Sequence, residues 1–167
     1  MRFVLCDVFS ARPLAGNQLA VFTDAAGIAE DLLQPLAREI NFSETVFVYP
    51  PTDPAATARI RIFVPTQEIP FAGHPVLGTA VVLGRERGLS ELVLETGRAP
   101  VHVRLARSGG TMRQPLPPCD PTRRPSGRCG HSAPTARCTR SRPTTTACAT
   151  STCGWRRRRR WRRFAPT

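Results

Sequence analysis

The sequence predicts an α+β fold for residues 1–112, in which a mixed half-barrel sheet wraps around a central apolar helix. Three observations lead to this prediction. Short runs typical of strands and runs typical of helices follow one another in mixed order, and "ARIRIFVP" alternates charged with apolar side chains at the period of a strand. The third is "HPVLGTAVVLG", which is almost wholly apolar. A helix of that composition has to be buried, so we expect the strands to enclose it.

The first elements are two strands and a helix. "RFVLCDVF" mixes β-branched and aromatic residues and is followed by the breakers "SARPLAGN", which predicts a strand and a loop, and "QLAVFTD" predicts a second strand. "GIAEDLLQPLAREI" has apolar residues near helical spacing, with Glu30 and Asp31 early and Arg38 late, as the helix dipole prefers. A proline inside a helix costs about 3 kcal/mol, so this helix is expected to begin near Leu33 or to be kinked at Pro35.

The remaining elements complete the order strand, strand, helix, strand, strand, helix, strand, strand. "TVFVYPP" and "ARIRIFVP" predict the third and fourth strands. "HPVLGTAVVLGRERG" predicts the apolar helix, with Pro75 tolerated in its first turn and Gly88 near its end. "ELVLET" and "APVHVRLA" lie on either side of "GR" and predict a hairpin.

The chain divides near residue 112 into two parts of unlike composition. Residues 1–112 hold 10 Arg against 11 Asp and Glu, whereas residues 113–167 hold 14 Arg against one acid. The second part has no Val or Ile, so it cannot bury enough apolar surface to offset a chain entropy of about 1–2 kcal/mol per residue. We predict a half-domain over 1–112 and a disordered Arg/Pro/Thr/Cys-rich tail over 113–167, whose composition is typical of a shifted reading frame.

Cysteine usage and the N-terminus predict a cytoplasmic protein without a metal. Cys6 lies in a predicted strand and is expected to be reduced and buried, and the five tail cysteines form no C-x-x-C pair, so zinc is not expected. Asp7 and Arg12 interrupt the only apolar stretch near the N-terminus, which argues against a secretion signal. No segment approaches the roughly 20 apolar residues of a membrane span.

Glu44 is the first residue of interest for chemistry. In "NFSETVFVYPP" it stands where the helix should end and an almost wholly apolar strand begins. Burial there would favour the protonated form of the carboxyl, which suits it to moving protons at neutral pH. The residues alone leave open a second interpretation, an ordinary solvated turn carboxylate.

Gly73 and His74 in "PFAGHPVLG" form a second candidate group. A helix beginning here offers free N–H groups and a positive dipole end to a substrate carboxylate, and His74 can titrate near neutral pH. An incidental histidine in a capping loop is an equally good interpretation. Asn17 belongs to a Gly-Asn turn in "AGNQLAVF", and His102 is expected to be a surface residue of the hairpin.

Together, three stretches resemble the phenazine-biosynthesis isomerase (PhzF-like) family, whose fold is that of diaminopimelate epimerase. They are "DVFSARPLAGNQLAVF", "AREINFSETVFV" and "RIRIFVPTQEIPFAGHPVLGTA", in the family's order and spacing. The resemblance implies that Glu44 is the catalytic acid/base, which moves a proton between carbons of a small carboxylic acid. It implies that Gly73 and His74 hold the substrate, that Asn17 supports the site, and that neither metal nor organic cofactor is used.

The resemblance covers only the N-terminal half of such an enzyme. The family fold has two similar halves with the site between them, and nothing in 113–167 resembles the second half, so we expect the chain as written to be truncated and inactive. The alternatives are a non-catalytic half-domain and a nucleic-acid binder acting through "WRRRRRWRRF". We expect a small-molecule carboxylic acid as partner, with a homodimer as one option, and neither membrane nor nucleic acid.

Overall fold

A computed structural model describes residues 1–12, 14–107 and 109–114, together with the backbone of three two-residue strands further on. The predicted disorder of 113–167, its frameshift and the nucleic-acid alternative fall almost entirely outside the described residues and stay predictions. Two helices and eleven strands are described: β1 Arg2–Val8, β2 Asn17–Phe22, α1 Glu30–Ile40, β3 Glu44–Tyr49, β4 Ala58–Phe63, β5 Glu68–Ile69, α2 Gly73–Arg87, β6 Glu91–Glu95, β7 Pro100–Ala106, β8 Gly109–Arg113, β9 Thr146–Ala147, β10 Gly154–Trp155 and β11 Arg159–Arg160.

The strands form one mixed sheet in the order β1-β2-β3-β4-β6-β7-β8, with β5 beside β4 and the short strands β9 to β11 at its two ends. Its neighbours are antiparallel except for β2 with β3 and β4 with β6, which are parallel and are joined through α1 and α2 respectively. β3 and β4 are antiparallel, so the second parallel pair runs opposite to the first. Right-handed crossovers then place the two helices on opposite faces of the sheet.

Helix α2 is the centre of the fold. Every residue from Pro75 to Gly84 is buried, and the helix contacts β1, β2, β3, β6, β7 and β8. Gly78 lets it approach the sheet, because a Cβ there would lie 2.6 Å from Leu19 Cδ2 and 2.7 Å from Val8 Cγ2. The helix ends at Gly88, whose φ of 69° is a conformation that glycine adopts freely. The predicted α+β half-barrel around an apolar helix is confirmed.

Helix α1 covers the other face of the sheet. Leu33 and Ala37 pack with Phe22, Phe47 and Phe63 in a second cluster of buried residues. Of the two expectations for this helix, a start near Leu33 is wrong, since the helix begins at Glu30 and runs through Pro35. The kink at Pro35 stays a prediction. Pro35 and Asp31 are both exposed, so water can bond the Asp31 carbonyl that loses its helical hydrogen bond at the proline. The sequence pattern also missed β5 and β8, which are short or rich in glycine.

A buried carboxylate ties the turn after β3 to β6. Glu95 accepts hydrogen bonds from the Thr52 N–H at 3.0 Å, from the Thr52 hydroxyl at 2.8 Å and from the Asp53 N–H at 2.6 Å. These hydrogen bonds favour the charged form of Glu95 and so hold its pKa below the usual value. The bond from the Thr52 backbone N–H has the largest effect.

We expect Glu95→Gln to lower the thermal unfolding midpoint at pH 7, because the amide replaces an acceptor oxygen with a donor facing backbone N–H groups. A carboxyl whose pKa is lowered by folding stabilises the fold fully above its pKa in the unfolded chain, which is about 4.3 for glutamate. This stabilisation is lost as the pH falls through the pKa that the carboxyl has in the folded chain. The difference between variant and parent should therefore shrink below about pH 4. Glu91→Gln is the control, since Glu91 forms an ion pair with Arg104 on the exposed surface. Equal effects of the two variants would contradict this role.

Candidate active site

Glu44 and the start of α2 meet at one end of the sheet because of the strand directions. Glu44 is the first residue of β3 and lies opposite Leu19 of the parallel strand β2. β4 runs back to the same end, where Phe63 lies opposite Thr45, and the chain then passes through β5 into α2. The first turn of α2 is therefore placed over the start of β3.

The two predicted site residues are in contact. His74 Nε2 lies 2.8 Å from Glu44 Oε2, and the two side chains are only 10% and 15% exposed. The distance is that of a charge-assisted hydrogen bond, but the angles are not, so neither atom has a hydrogen-bond partner among the residues that the structure describes. Catalytic groups are commonly misaligned without substrate, and a bound molecule could align them.

His74 is biased toward its neutral form. Burial lowers the pKa of His74 from its usual value, because imidazolium is poorly solvated there. The negative charge of Glu44 and a hydrogen bond with the Gln18 backbone act in the opposite direction but do not outweigh burial. A neutral ring beside a carboxylate can accept, donate or relay a proton.

Glu44→Gln should lower the pKa of His74 further. Removing the carboxylate removes the charge that favours imidazolium and leaves the burial unchanged. The measurement is an NMR titration of the His74 ring protons. Glu39→Gln, an exposed site on α1, is the matched control and should leave the titration where it is. A His74 pKa that stayed constant or rose in Glu44→Gln would show that the two side chains do not interact.

Helix α2 begins without a side-chain cap. The N-cap Ala72 is extended, none of the side chains in the described part of the chain caps it, and the first turn holds no acid. The N–H groups of Gly73 and His74 therefore have no acceptor within the helix and face the end where Glu44 lies. Gly73 lets the end of β8 pack closely on this turn, because a Cβ there would lie 3.1 Å from Gln114 Nε2 and 3.4 Å from Met112 Cε.

Asn17 lies at the same end of the sheet but is not joined to the pair. It is exposed at the start of β2, opposite Val8 of β1, and no hydrogen bond links it to Glu44 or His74 in the described part of the chain. Sequence reasoning missed its neighbour Gln18, whose carbonyl accepts from the Ser43 hydroxyl at 3.1 Å. The parallel pairing of β2 with β3 creates this contact, and a parallel pairing leaves no local signal in the sequence.

The other features of the described surface lie away from this site. His102 is exposed on β7, as expected, and lines an open groove of about 630 Å³ on the outer side of β6 to β8. Within the described ranges, no group of three or more His, Cys, Asp or Glu residues is placed to hold a metal ion. No described helix is both long enough and apolar enough to cross a membrane. Cys6 is buried, and the tail cysteines fall outside the described residues.

Comparison with known proteins identifies the family. The family model described as phenazine biosynthesis-like protein, PhzC-PhzF, matches residues 6–152. The chain belongs to this family. The range that matches the PhzF-like family runs across residue 112. It therefore neither supports nor contradicts the predicted boundary between a half-domain over 1–112 and a tail over 113–167.

Individual PhzF-like relatives are longer than this chain. The chain is similar to a trans-2,3-dihydro-3-hydroxyanthranilate isomerase of Pseudomonas aeruginosa, at 44% identity over 130 residues, covering 75% of this chain and 46% of the relative. It thus spans under half of that relative's length. A predicted epimerase from the same species superposes with a TM-score of 0.58 at 38% identity, over 67% of this chain and 41% of the other.

A more distant structure shows the fold alone. A hydroxyproline epimerase from Agrobacterium vitis superposes with a TM-score of 0.50 at 14% identity, over 68% of this chain and 41% of the other. The half-barrel of the PhzF-like chain is therefore an arrangement that epimerases also use.

Proposed function

We propose that this chain carries the acid/base half of a PhzF-type isomerase site, in which Glu44 moves a proton between two carbons of a small carboxylic acid. The observation that carries the proposal is the buried 2.8 Å contact between Glu44 and His74 at the uncapped start of α2. It joins a proton carrier, a neutral imidazole and free N–H groups in one place.

The reaction requires no change of oxidation state. Glu44 takes a proton from carbon, the electron pair of the broken C–H bond delocalises as enolate-like charge, and Glu44 returns the proton to another carbon. The N–H groups of Gly73 and His74 would hold the substrate carboxylate and stabilise that charge. His74 orients Glu44 and can pass the proton on, and Asn17 has a supporting role at the rim.

The substrate class comes from the relatives. Proteins similar to this chain are named for trans-2,3-dihydro-3-hydroxyanthranilate, a small carboxylic acid. Because the chain spans 46% of the first of them, the proposal includes a second half that closes the cleft and excludes water. In a homodimer, a second copy of the chain would close the cleft instead, and this is the alternative.

The test is an isomerisation assay in which NMR monitors the conversion of this compound. It is run on the full chain and on a chimera in which residues 1–112 replace the matching segment of the P. aeruginosa relative. We expect turnover by the chimera and little or none by the chain alone. A chimera that folds, as judged by circular dichroism, but leaves the compound unchanged while the intact relative converts it would contradict the proposal.

A further inference from the structure

Beside the site, an exposed aromatic residue has an unfavourable backbone conformation. Phe9 has a φ of 63°, which is rare for a bulky side chain, yet 46% of the residue is exposed. Its ring centroid lies 6.3 Å from that of His74. Burial of the side chain does not explain this conformation, and such strain concentrates at functional sites.

The loop that carries Phe9 is built to hold this position. Ser10 Oγ donates to the Arg12 carbonyl at 2.7 Å and accepts from the Arg12 N–H at 3.1 Å. Asp7 accepts from the N–H of Leu14 at 2.8 Å. Gly16 packs so closely on the Val8 carbonyl that a Cβ could not fit there. Phe9 is thus fixed on the rim, with one face toward solvent.

The surroundings of Phe9 indicate what it contacts. His74 and the uncapped start of α2 lie on one side and suit a carboxylate, while the Phe9 ring offers an apolar surface next to them. Flat rings pack on aromatic side chains at centroid distances of about 4.5–7 Å. A molecule that carries a carboxylate on an unsaturated ring fits both features at once.

We propose that Phe9 forms the ring-binding wall of the substrate cleft and selects cyclic carboxylic acids over acyclic ones. The inference rests on the proposed function for the position of the substrate carboxylate. It adds a specificity-determining residue that takes no part in the proton transfer.

The experiment measures binding of benzoate and of acetate to the full 167-residue chain by NMR titration. Phe9→Gly removes both the ring and the strain, Phe9→Tyr keeps the ring, and Leu14→Ala is the control in the same loop, because Leu14 is 78% exposed with a φ of 64°. We expect Phe9→Gly to weaken benzoate binding about three- to tenfold, to leave acetate binding unchanged and not to lower the unfolding midpoint. Phe9→Tyr and Leu14→Ala should bind benzoate like the parent.

The opposite results would overturn the inference. These are equal benzoate affinity in Phe9→Gly and the parent, equal losses for benzoate and acetate, or no benzoate binding by the parent. A lower unfolding midpoint for Phe9→Gly, or loss of self-association in sedimentation without loss of benzoate binding, would show that Phe9 covers a protein surface. If benzoate binding depends on Phe9 but the chimera shows no turnover, the proposed function is contradicted and the role of Phe9 in ring binding is supported. If the chimera shows turnover but benzoate binding does not depend on Phe9, only the role of Phe9 is contradicted.

Discussion

Glu44→Gln should lower turnover of the chimera by about 10²- to 10⁴-fold, the usual contribution of a general acid/base group. Glutamine has nearly the shape of glutamate, so the packing beside His74 is kept, but the amide cannot take up the substrate proton. The loss should fall on kcat more than on KM, because Glu44 acts on the reacting carbon whereas the start of α2 binds the carboxylate.

The control is Glu39→Gln, the same chemical change at an exposed position of α1, which should leave turnover as it is. Circular dichroism and the unfolding midpoint show whether each variant is folded. A folded Glu44→Gln chimera with the turnover of the parent would remove Glu44 from the mechanism. A rise in KM alone would make Glu44 a binding group.

Gly78→Val is expected to destabilise the full chain by about 1–3 kcal/mol, the usual cost of overpacking a core. Its side chain would have to enter space occupied by Leu19 and Val8. The first turn of α2 would then shift relative to β3, so His74 would move from Glu44 and turnover of the chimera would fall too. Urea unfolding measures the free energy of unfolding, and the ring protons of His74 report the change at the site.

The matched control is Gly27→Val. A Cβ at Gly27 meets no atom within 4 Å, so the same substitution should cost far less. If both variants unfold at the same urea concentration, close packing of α2 on β1 and β2 is not what sets its position.

The sequence was sufficient for the elements whose pattern is local. The alternation of Arg59 and Arg61 with apolar residues in β4, the mostly apolar helix α2 and its end at Gly88 were all predicted and found. β8 was missed because "GGTMR" has no strand-forming pattern, and it forms where β7 supplies a partner along its length. The Leu33 start was wrong because the general cost of an interior proline does not take solvent into account, and water can bond the exposed Asp31 carbonyl that Pro35 leaves without a helical donor.

For the site, the sequence identified residues but not their arrangement. Glu44 and His74 were singled out separately, and their contact depends on β3 and β4 running in opposite directions, which no local pattern encodes. Phe9 was seen only as a strand residue, since a positive φ at a phenylalanine follows from the loop closing over Gly16.

The position of the pair along the chain has a consequence for inheritance. Gln18, Ser43, Glu44 and His74, with the hydrogen bonds and the ion contact between them, all lie within the first 74 residues. A recombination event that exchanged everything after β8 would leave the residues of this contact unaltered. Under the function proposed above, natural selection could then vary the other half of the site, and with it the substrate, while Glu44 and His74 stayed the same.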